Sequence, residues 1–149
     1  MGPRRSCWSA QGHTSGLLGA CWHPTDKERW ITWAGDATVR FWHISGRRSF
    51  DELYCESVIK LKDARGQRAG VTAGAFSADG RRIGAGTEDG SVAWYDGVRR
   101  SPSGRPDGVV RGAHTDGPAS GAAFSPDGMK LATRGADGTL KARARWSRA

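Results

Sequence analysis

Residues 12–44 read GHTSGLLGACWHPTDKERWITWAGDATVRFWHI, and residues 114–141 read HTDGPASGAAFSPDGMKLATRGADGTLK. In both, a histidine precedes an aspartate by the same 23 residues, His13 to Asp36 and His114 to Asp137. Each histidine stands just before a short apolar stretch. Each aspartate opens a tight turn, Asp36-Ala37-Thr38-Val39-Arg40 and Asp137-Gly138-Thr139-Leu140-Lys141. Asp89-Gly90-Ser91-Val92 is a third copy, 53 residues after Asp36 and 48 before Asp137. Repetition at such a period marks stacked supersecondary units, none of which buries its apolar face alone. The expectation is a stack of similar β units whose function belongs to surfaces more than to one pocket.

Within each unit, period-2 alternation and turn chemistry set the strands. In the first, 17–22 and 30–34 flank the polar turn His23-Pro24-Thr25-Asp26-Lys27, and 38–44 follow Asp36. In that last strand Val39, Phe41 and His43 share one side, and Thr38, Arg40 and Trp42 the other. The second unit is predicted as 71–76, 82–85 and 91–95, and the third as 119–124, 130–133 and a strand from Thr139. Asp-Gly at the turns supplies the positive φ that hairpins need. Connections 45–57 and 97–107 read as loops, each followed by an outer strand, 58–62 and 109–111, completing four strands per unit. No segment has 3.6-residue periodicity, so helix is expected to be near absent. The units are placed at about 12–62, 63–113 and 114–149, with 1–11 and 142–149 matching the pattern poorly.

Composition excludes several classes. The 149 residues, 37% hydrophobic with seven tryptophans, supply a real core, and the prior is one domain. The absence of an eighteen-residue apolar run and of an apolar region behind Met1 predicts no membrane span and no secretory signal, hence an intracellular chain. Three cysteines, Cys7, Cys21 and Cys55, fit a reducing compartment better than a disulfide framework. The formal charge is +8. The basic residues are scattered pairs, Arg47-Arg48, Arg81-Arg82 and Arg99-Arg100, and no acid follows Asp137 among Lys141, Arg143, Arg145 and Arg148. Solvated surface charge explains this better than a nucleic-acid stripe, because no aromatic platform accompanies it.

Several groupings invite a chemical reading. His13, Thr32 and Asp36 have the residue types of a nucleophilic triad, but a strand threonine buried against both partners is not an exposed nucleophile. Cys7, His13, Cys21 and His23 lack metal-ligand spacing. The glycine-rich run 84–90 has no Lys-Ser/Thr and leads into a strand, where a phosphate loop leads into a helix. Trp22, Trp30, Trp33 and Trp42 read as sheet core and packing between units. No catalytic, metal or cofactor residue is assigned, and no enzyme activity is expected.

Gly12-His13, a strand, a Ser/Pro/Asp/Gly turn, then Thr, Asp and Trp at fixed offsets resemble the WD-repeat β-propeller. The resemblance implies an all-β partial propeller of about three blades, each an antiparallel four-stranded sheet, with the last blade incomplete. It maps a structural hydrogen-bonded tetrad onto His13, Thr32, Asp36 and Trp42, where burial is tolerable because each polar group satisfies another. The third unit offers His114, Thr133 and Asp137, with Arg143 at the tryptophan position. The middle unit keeps Asp89 and Tyr95 but has Gly66 and Ala85 at the histidine and threonine positions, so apolar packing is expected to hold it.

Gly12-His13-Thr14, Cys21-Trp22-His23-Pro24 and Asp36-Ala37-Thr38-Val39-Arg40 together look like the gastrulation-defective type of WD-repeat protein. That resemblance implies a nuclear, non-enzymatic interaction scaffold linked to the DNA-damage response and to an adaptor of cullin-based ubiquitin ligases. Partner proteins or peptides are expected on the face near Glu88 and Arg134. The adaptor reads Trp-Asp-x-Arg at the end of the third strand; here those ends are Trp42-His43-Ile44-Ser45 and Tyr95-Asp96-Gly97-Val98. Three units fall short of the four to eight blades of a closed ring. Agreement with the repeat is expected to stop after about Lys141.

Overall fold

The computed structural model describes residues 11–45, 52–96 and 106–144. Their regular structure is entirely β: β1 (Leu17–Trp22), β2 (Arg29–Ala34), β3 (Thr38–Ser45), β4 (Glu52–Lys60), β5 (Val71–Phe76), β6 (Arg82–Thr87), β7 (Val92–Asp96), β8 (Gly108–Val110), β9 (Ala119–Phe124), β10 (Lys130–Gly135) and β11 (Leu140–Ala144). Three antiparallel meanders result, ordered β1-β2-β3-β4, β5-β6-β7-β8 and β9-β10-β11. Because each strand pairs with the next one in the sequence, each sheet forms from local sequence. The first strands β1, β5 and β9 lie side by side. The sheets are thus successive blades of a propeller, and the three do not close a ring.

Alternation gives each blade two faces. Ile31, Trp33, Val39 and Phe41 of the first blade meet Ile83, Ala85, Ala93 and Tyr95 of the second in one buried cluster with Ile59, Leu61 and Val71. The second blade's other face presents Val92 and Trp94 to Leu131 and Ala119 of the third. Trp33 is the key of the first interface. Its ring lies against Gly19 of β1 and Gly74 of β5, where a Cβ at Gly74 would stand 2.7 Å from the ring. Apolar burial between blades, at roughly 25 cal/mol per Å² of buried area, therefore supplies most of the driving force.

The turns between second and third strands need a left-handed residue. Gly90 (φ 85°) and Gly138 (φ 79°) supply it in two blades, and in the first Ala37 takes φ 70° at the same place. Ala37 is the non-glycine exception, held there by burial and by the Leu61 N–H bond to its carbonyl, at 2.8 Å.

Four details differ from the sequence reading. The connection 45–57 is largely strand, because β3 and β4 continue their ladder through Ile44↔Leu53 and His43↔Tyr54 after a bulge between Phe41 and Trp42. A bulge absorbs one residue and resets the register, so the alternation that marks a strand is interrupted in the sequence. The outer strand of the second blade begins at Gly108, one residue early. Gly66 is not at the histidine position: it sits in a small hairpin inserted between Lys62 and Arg68, and Ala64 N–H makes the contact to Asp89 that Thr14 N–H makes to Asp36. That alignment puts Asp63 at the histidine position. Finally, β11 continues past Lys141, pairing Leu131↔Arg143 and Lys130↔Ala144, and no fourth strand joins the third sheet among the described residues. The ends 1–10 and 145–149, and residues 46–51 and 97–105, lie outside the described residues.

Candidate functional site

The first blade brings His13, Thr32, Asp36 and Trp42 together. Asp36 is fixed by the turn after β2, and His13 is carried by the segment before β1. His13 Nδ1–H donates to Asp36 Oδ2 at 2.9 Å. With that nitrogen donating, Nε2 accepts from the Thr32 hydroxyl at 2.6 Å. Thr32 Oγ1 in turn accepts from Trp42 Nε1–H at 2.8 Å. The Asp36 carboxylate takes three more bonds, from the Thr38 hydroxyl at 2.6 Å, Thr38 N–H at 3.0 Å and Thr14 N–H at 3.0 Å. Burial alone would raise its pKa. The Thr38 hydroxyl, Thr14 N–H and His13 outweigh that and hold it at about 2.

The third blade repeats the arrangement with fully buried His114. Its Nδ1 faces Asp137 Oδ1 at 3.3 Å and its Nε2 faces Thr133 Oγ1 at 3.0 Å. Asp137 is lowered to about 2, first by the Thr139 hydroxyl and N–H, with His114 and Thr115 N–H adding to them against the cost of burial. Position 143 pairs with Leu131 as Trp42 pairs with Trp30, which confirms the backbone alignment; the Arg143 side chain lies outside the described residues.

In the second blade Asp89 keeps its own polar web, accepting from the Thr87 hydroxyl at 2.5 Å, Ala64 N–H at 3.0 Å and Ser91 N–H at 3.1 Å. Its pKa is lowered too, because those bonds outweigh burial. Apolar packing alone does not hold this blade, contrary to the sequence expectation. The residues the sequence reading missed are Thr38, Ser91 and Thr139. Their signal was present as Asp-x-Thr/Ser in all three turns, a local side-chain bond of the kind these residues favour.

These networks consume the polar atoms that suggested chemistry. Thr32 is buried with its oxygen bonded on both sides, so no substrate reaches it as a nucleophile. His23 Nδ1 accepts Asp26 N–H at 3.0 Å, and the Cys21 thiol bonds the Trp22 carbonyl at 3.5 Å. Among the described residues no three His, Cys, Asp or Glu side chains are placed to share a metal. In the glycine-rich run, Gly84 and Gly86 admit Leu131 and Ala119 of the third blade. Glu88 and Arg134 are both exposed, on neighbouring blades, with no hydrogen bond or ion pair between them among the described residues. Glu88 leans over Gly70, and the Arg134 side chain lies across Gly121. Of the four tryptophans, Trp33 and Trp42 are buried. Trp22 is 59% exposed and packs on Trp30, ring centroids 5.1 Å apart, on the face turned away from the second blade.

A polar cavity of about 760 Å³ lies by the turns at the other end of β2, lined by His23, Asp26, Arg29, Trp30, Glu56 and Phe76 among others. Three of its charged groups pair with one another. Arg29 bridges Asp26 and Glu56, and His43 stands between Glu28 at 3.2 Å and the Tyr54 hydroxyl at 2.5 Å.

Comparison with known proteins agrees with this architecture. The family model described as "WD domain, G-beta repeat" matches residues 57–96 and 106–142. Each match begins in the outer region of one sheet and ends with the third strand of the next. The chain is 40% identical over 134 residues to WD repeat-containing protein 70 of Xenopus tropicalis, covering 89% of this chain and 20% of that protein. It is 36% identical over 132 residues to Gastrulation defective protein 1 homolog of Drosophila melanogaster, covering 88% of this chain and 19% of that one. The chain therefore spans about a fifth of the length of the curated relatives it matches. Among solved structures, the C-terminal WD40 domain of Sif2 superposes with a TM-score of 0.70 at 16% identity, over 86% of this chain and 34% of that one, a likeness of fold. WD40 domains generally serve as non-enzymatic scaffolds that bind proteins or peptides. With three blades built on the same Asp-centred turn and the repeat model matching about half the sequence, the chain belongs to the WD40-repeat family.

Proposed function

We propose that this chain is part of a nuclear scaffold that gathers proteins in the DNA-damage response and presents them to a cullin-based ubiquitin ligase. One observation carries the scaffold reading: the buried His, Thr, Asp and Trp atoms satisfy one another, while Glu88 and Arg134 stay exposed on adjacent blades. A rigid frame with charged groups at its rim suits recognition more than turnover. The nuclear setting is what the resemblance to the gastrulation-defective type of WD-repeat protein implies. His43 stands in place of the aspartate the ligase adaptor reads and is engaged by Glu28 and Tyr54, so the first blade does not present that motif.

The test is microscopy of the tagged chain before and after DNA breakage, with interferometry against purified ligase adaptor for parent and a Glu88→Arg/Arg134→Glu variant. Nuclear retention and adaptor binding lost in the variant support the proposal. Cytoplasmic residence without adaptor binding refutes it. DNA binding that falls steeply with salt would favour the rival reading, a basic nucleic-acid-binding fragment suggested by the charge of +8.

A further inference from the structure

The second blade differs from its neighbours where its histidine would stand. There Lys62 and Arg68 pair across the small hairpin, which is closed by Asp63 N–H on the Gln67 carbonyl at 2.7 Å and Gly66 N–H on the Asp63 carbonyl at 3.0 Å. The Asp63 carboxylate locks it from within, accepting from Arg65 N–H at 2.8 Å and Gln67 N–H at 2.9 Å. Two arginines pin it to its surroundings. Arg68 Nη2 donates to the Asp36 carbonyl of the first blade at 3.3 Å, and Arg111 Nη1, just after β8, donates to the Asp63 and Ala64 carbonyls at 3.1 and 2.9 Å. Lys60 ends β4 beside the hairpin, opposite Thr38. Lys60, Lys62, Arg65, Arg68 and Arg111 are thus gathered at one end of the first two blades, all of them exposed. None of the five takes part in an ion pair among the described residues. Asp36 and Asp89 spend their oxygens on hydroxyl and N–H donors of their own turns. Asp51 and Glu52, whose side chains are not among those described, belong with the start of β4, at the opposite end from Lys60.

We propose that this patch is a docking surface for an acidic segment of a partner polypeptide, one rich in Asp and Glu. Charge complementarity selects it, since the cations lack acidic partners in the blades and the guanidinium fork matches a carboxylate with two parallel bonds. The hairpin is held on both sides before any partner arrives, so little conformational freedom is lost when one binds. The first and third blades place His13 and His114 there without such an insertion, so the blade itself does not require these cations. Glu88, leaning over Gly70, bounds the patch on its inner side and turns it toward the outer rim. A nucleic acid suits it less. The exposed rings of Trp22 and Tyr54 lie near the other ends of β1 and β4, so no aromatic face stands beside the cations for bases to stack on. The proposal rests on the scaffold reading only in taking the partner to be a polypeptide; nuclear location, the ligase adaptor and the pair Glu88 and Arg134 do not enter it.

The test is fluorescence anisotropy of a labelled oligoglutamate peptide titrated with the full 149-residue chain at neutral pH, with a short DNA duplex as the second probe. The peptide is expected to bind saturably and more weakly as salt is raised. Lys62→Gln with Arg65→Gln should weaken it about tenfold, the worth of two exposed ion pairs at the upper end of their range. Neither side chain makes a hydrogen bond or ion pair among the described residues, so the melting temperature should stay at the parent value. Lys62→Arg with Arg65→Lys keeps the charge and retains binding. Lys27→Gln with Arg81→Gln removes the same charge from exposed positions in the turns at the other end of the blades and should change affinity less than twofold, about the effect of screened distant charges. No saturable binding to the parent, or an equal loss in the two glutamine pairs, overturns the proposal. Tighter binding of the duplex than of the peptide, lost with Lys62 and Arg65, overturns the polypeptide partner. None of these results bears on the adaptor binding tested through Glu88 and Arg134, so the two readings fail separately.

Discussion

Asp36→Ala removes an acceptor used by four donors: the Thr38 hydroxyl at 2.6 Å, Thr38 N–H at 3.0 Å, His13 Nδ1–H at 2.9 Å and Thr14 N–H at 3.0 Å. Thr14 is exposed, so water replaces its bond, and the Thr38 hydroxyl can rotate. The His13 N–H, on a side chain 7% exposed, and the Thr38 N–H are left orphaned in the interior. Each buried donor without a partner costs about 1–3 kcal/mol, so the loss is about 2–6 kcal/mol. Against a typical domain stability of about 5–15 kcal/mol this is a large fraction. At about 2–8 °C per kcal/mol, the melting temperature falls by on the order of 10 °C.

Acid should reveal the same residue. The folded pKa of about 2 lies below the ordinary 3.8, so the carboxylate's contribution is fully present above about pH 4 and is lost as pH falls toward 2. The gap corresponds to about 2 kcal/mol. Thermal melts followed by circular dichroism, at neutral pH and down to pH about 2, measure both effects. Asp36→Ala melting with the parent at neutral pH while abolishing partner binding would falsify the structural role.

Gly74→Val should lower the melting temperature by the equivalent of about 1–3 kcal/mol of overpacking against Trp33, whereas Gly16→Val, where nothing lies within 4 Å, should leave it unchanged. Ala37→Gly relieves a left-handed alanine and should stabilise the chain by up to about 1 kcal/mol in denaturant titration; a lower midpoint would contradict the reading of that turn. Tyr95, buried and near the Asp107 carboxylate, has its pKa raised to about 12, so alkaline titration should show one tyrosine ionising only at that pH or on unfolding, a phase absent in Tyr95→Phe. Leu18, Trp22 and Leu140 are more than half exposed on the outward blade faces, so sedimentation of this chain should show self-association, reduced by Trp22→Ser with Leu140→Ser. A stable monomer at all concentrations would contradict it.

The repeat was legible because its turn chemistry is local. Asp36, Asp89 and Asp137 each set a turn, and the alternation of Val39 and Phe41 against Arg40 and Trp42 assigned the faces of β3. What escaped depends on distance or on irregularity. The bulge after Phe41 hid the start of β4, and the hairpin around Gly66 displaced the histidine position to Asp63. The left-handed turn at Ala37 carries no glycine to announce it. Thr38, Ser91 and Thr139 were visible in the sequence but were read as strand, although their hydroxyls bond the aspartates two residues earlier. Which blade face meets which neighbour is tertiary information, seen only once Trp33 is found against Gly74.

The offset between sequence repeat and sheet has a genetic consequence. Residues 57–96 encode the end of one blade's outer strand followed by the three inner strands of the next. A DNA duplication or deletion of one such unit, cut in the connection between third and outer strands and not at residue 57 inside β4, therefore leaves a third strand facing an outer strand at the junction. Lineages can change blade number in integral steps without passing through a torn sheet, and recombination breakpoints within the connections between third and outer strands would be the tolerated ones.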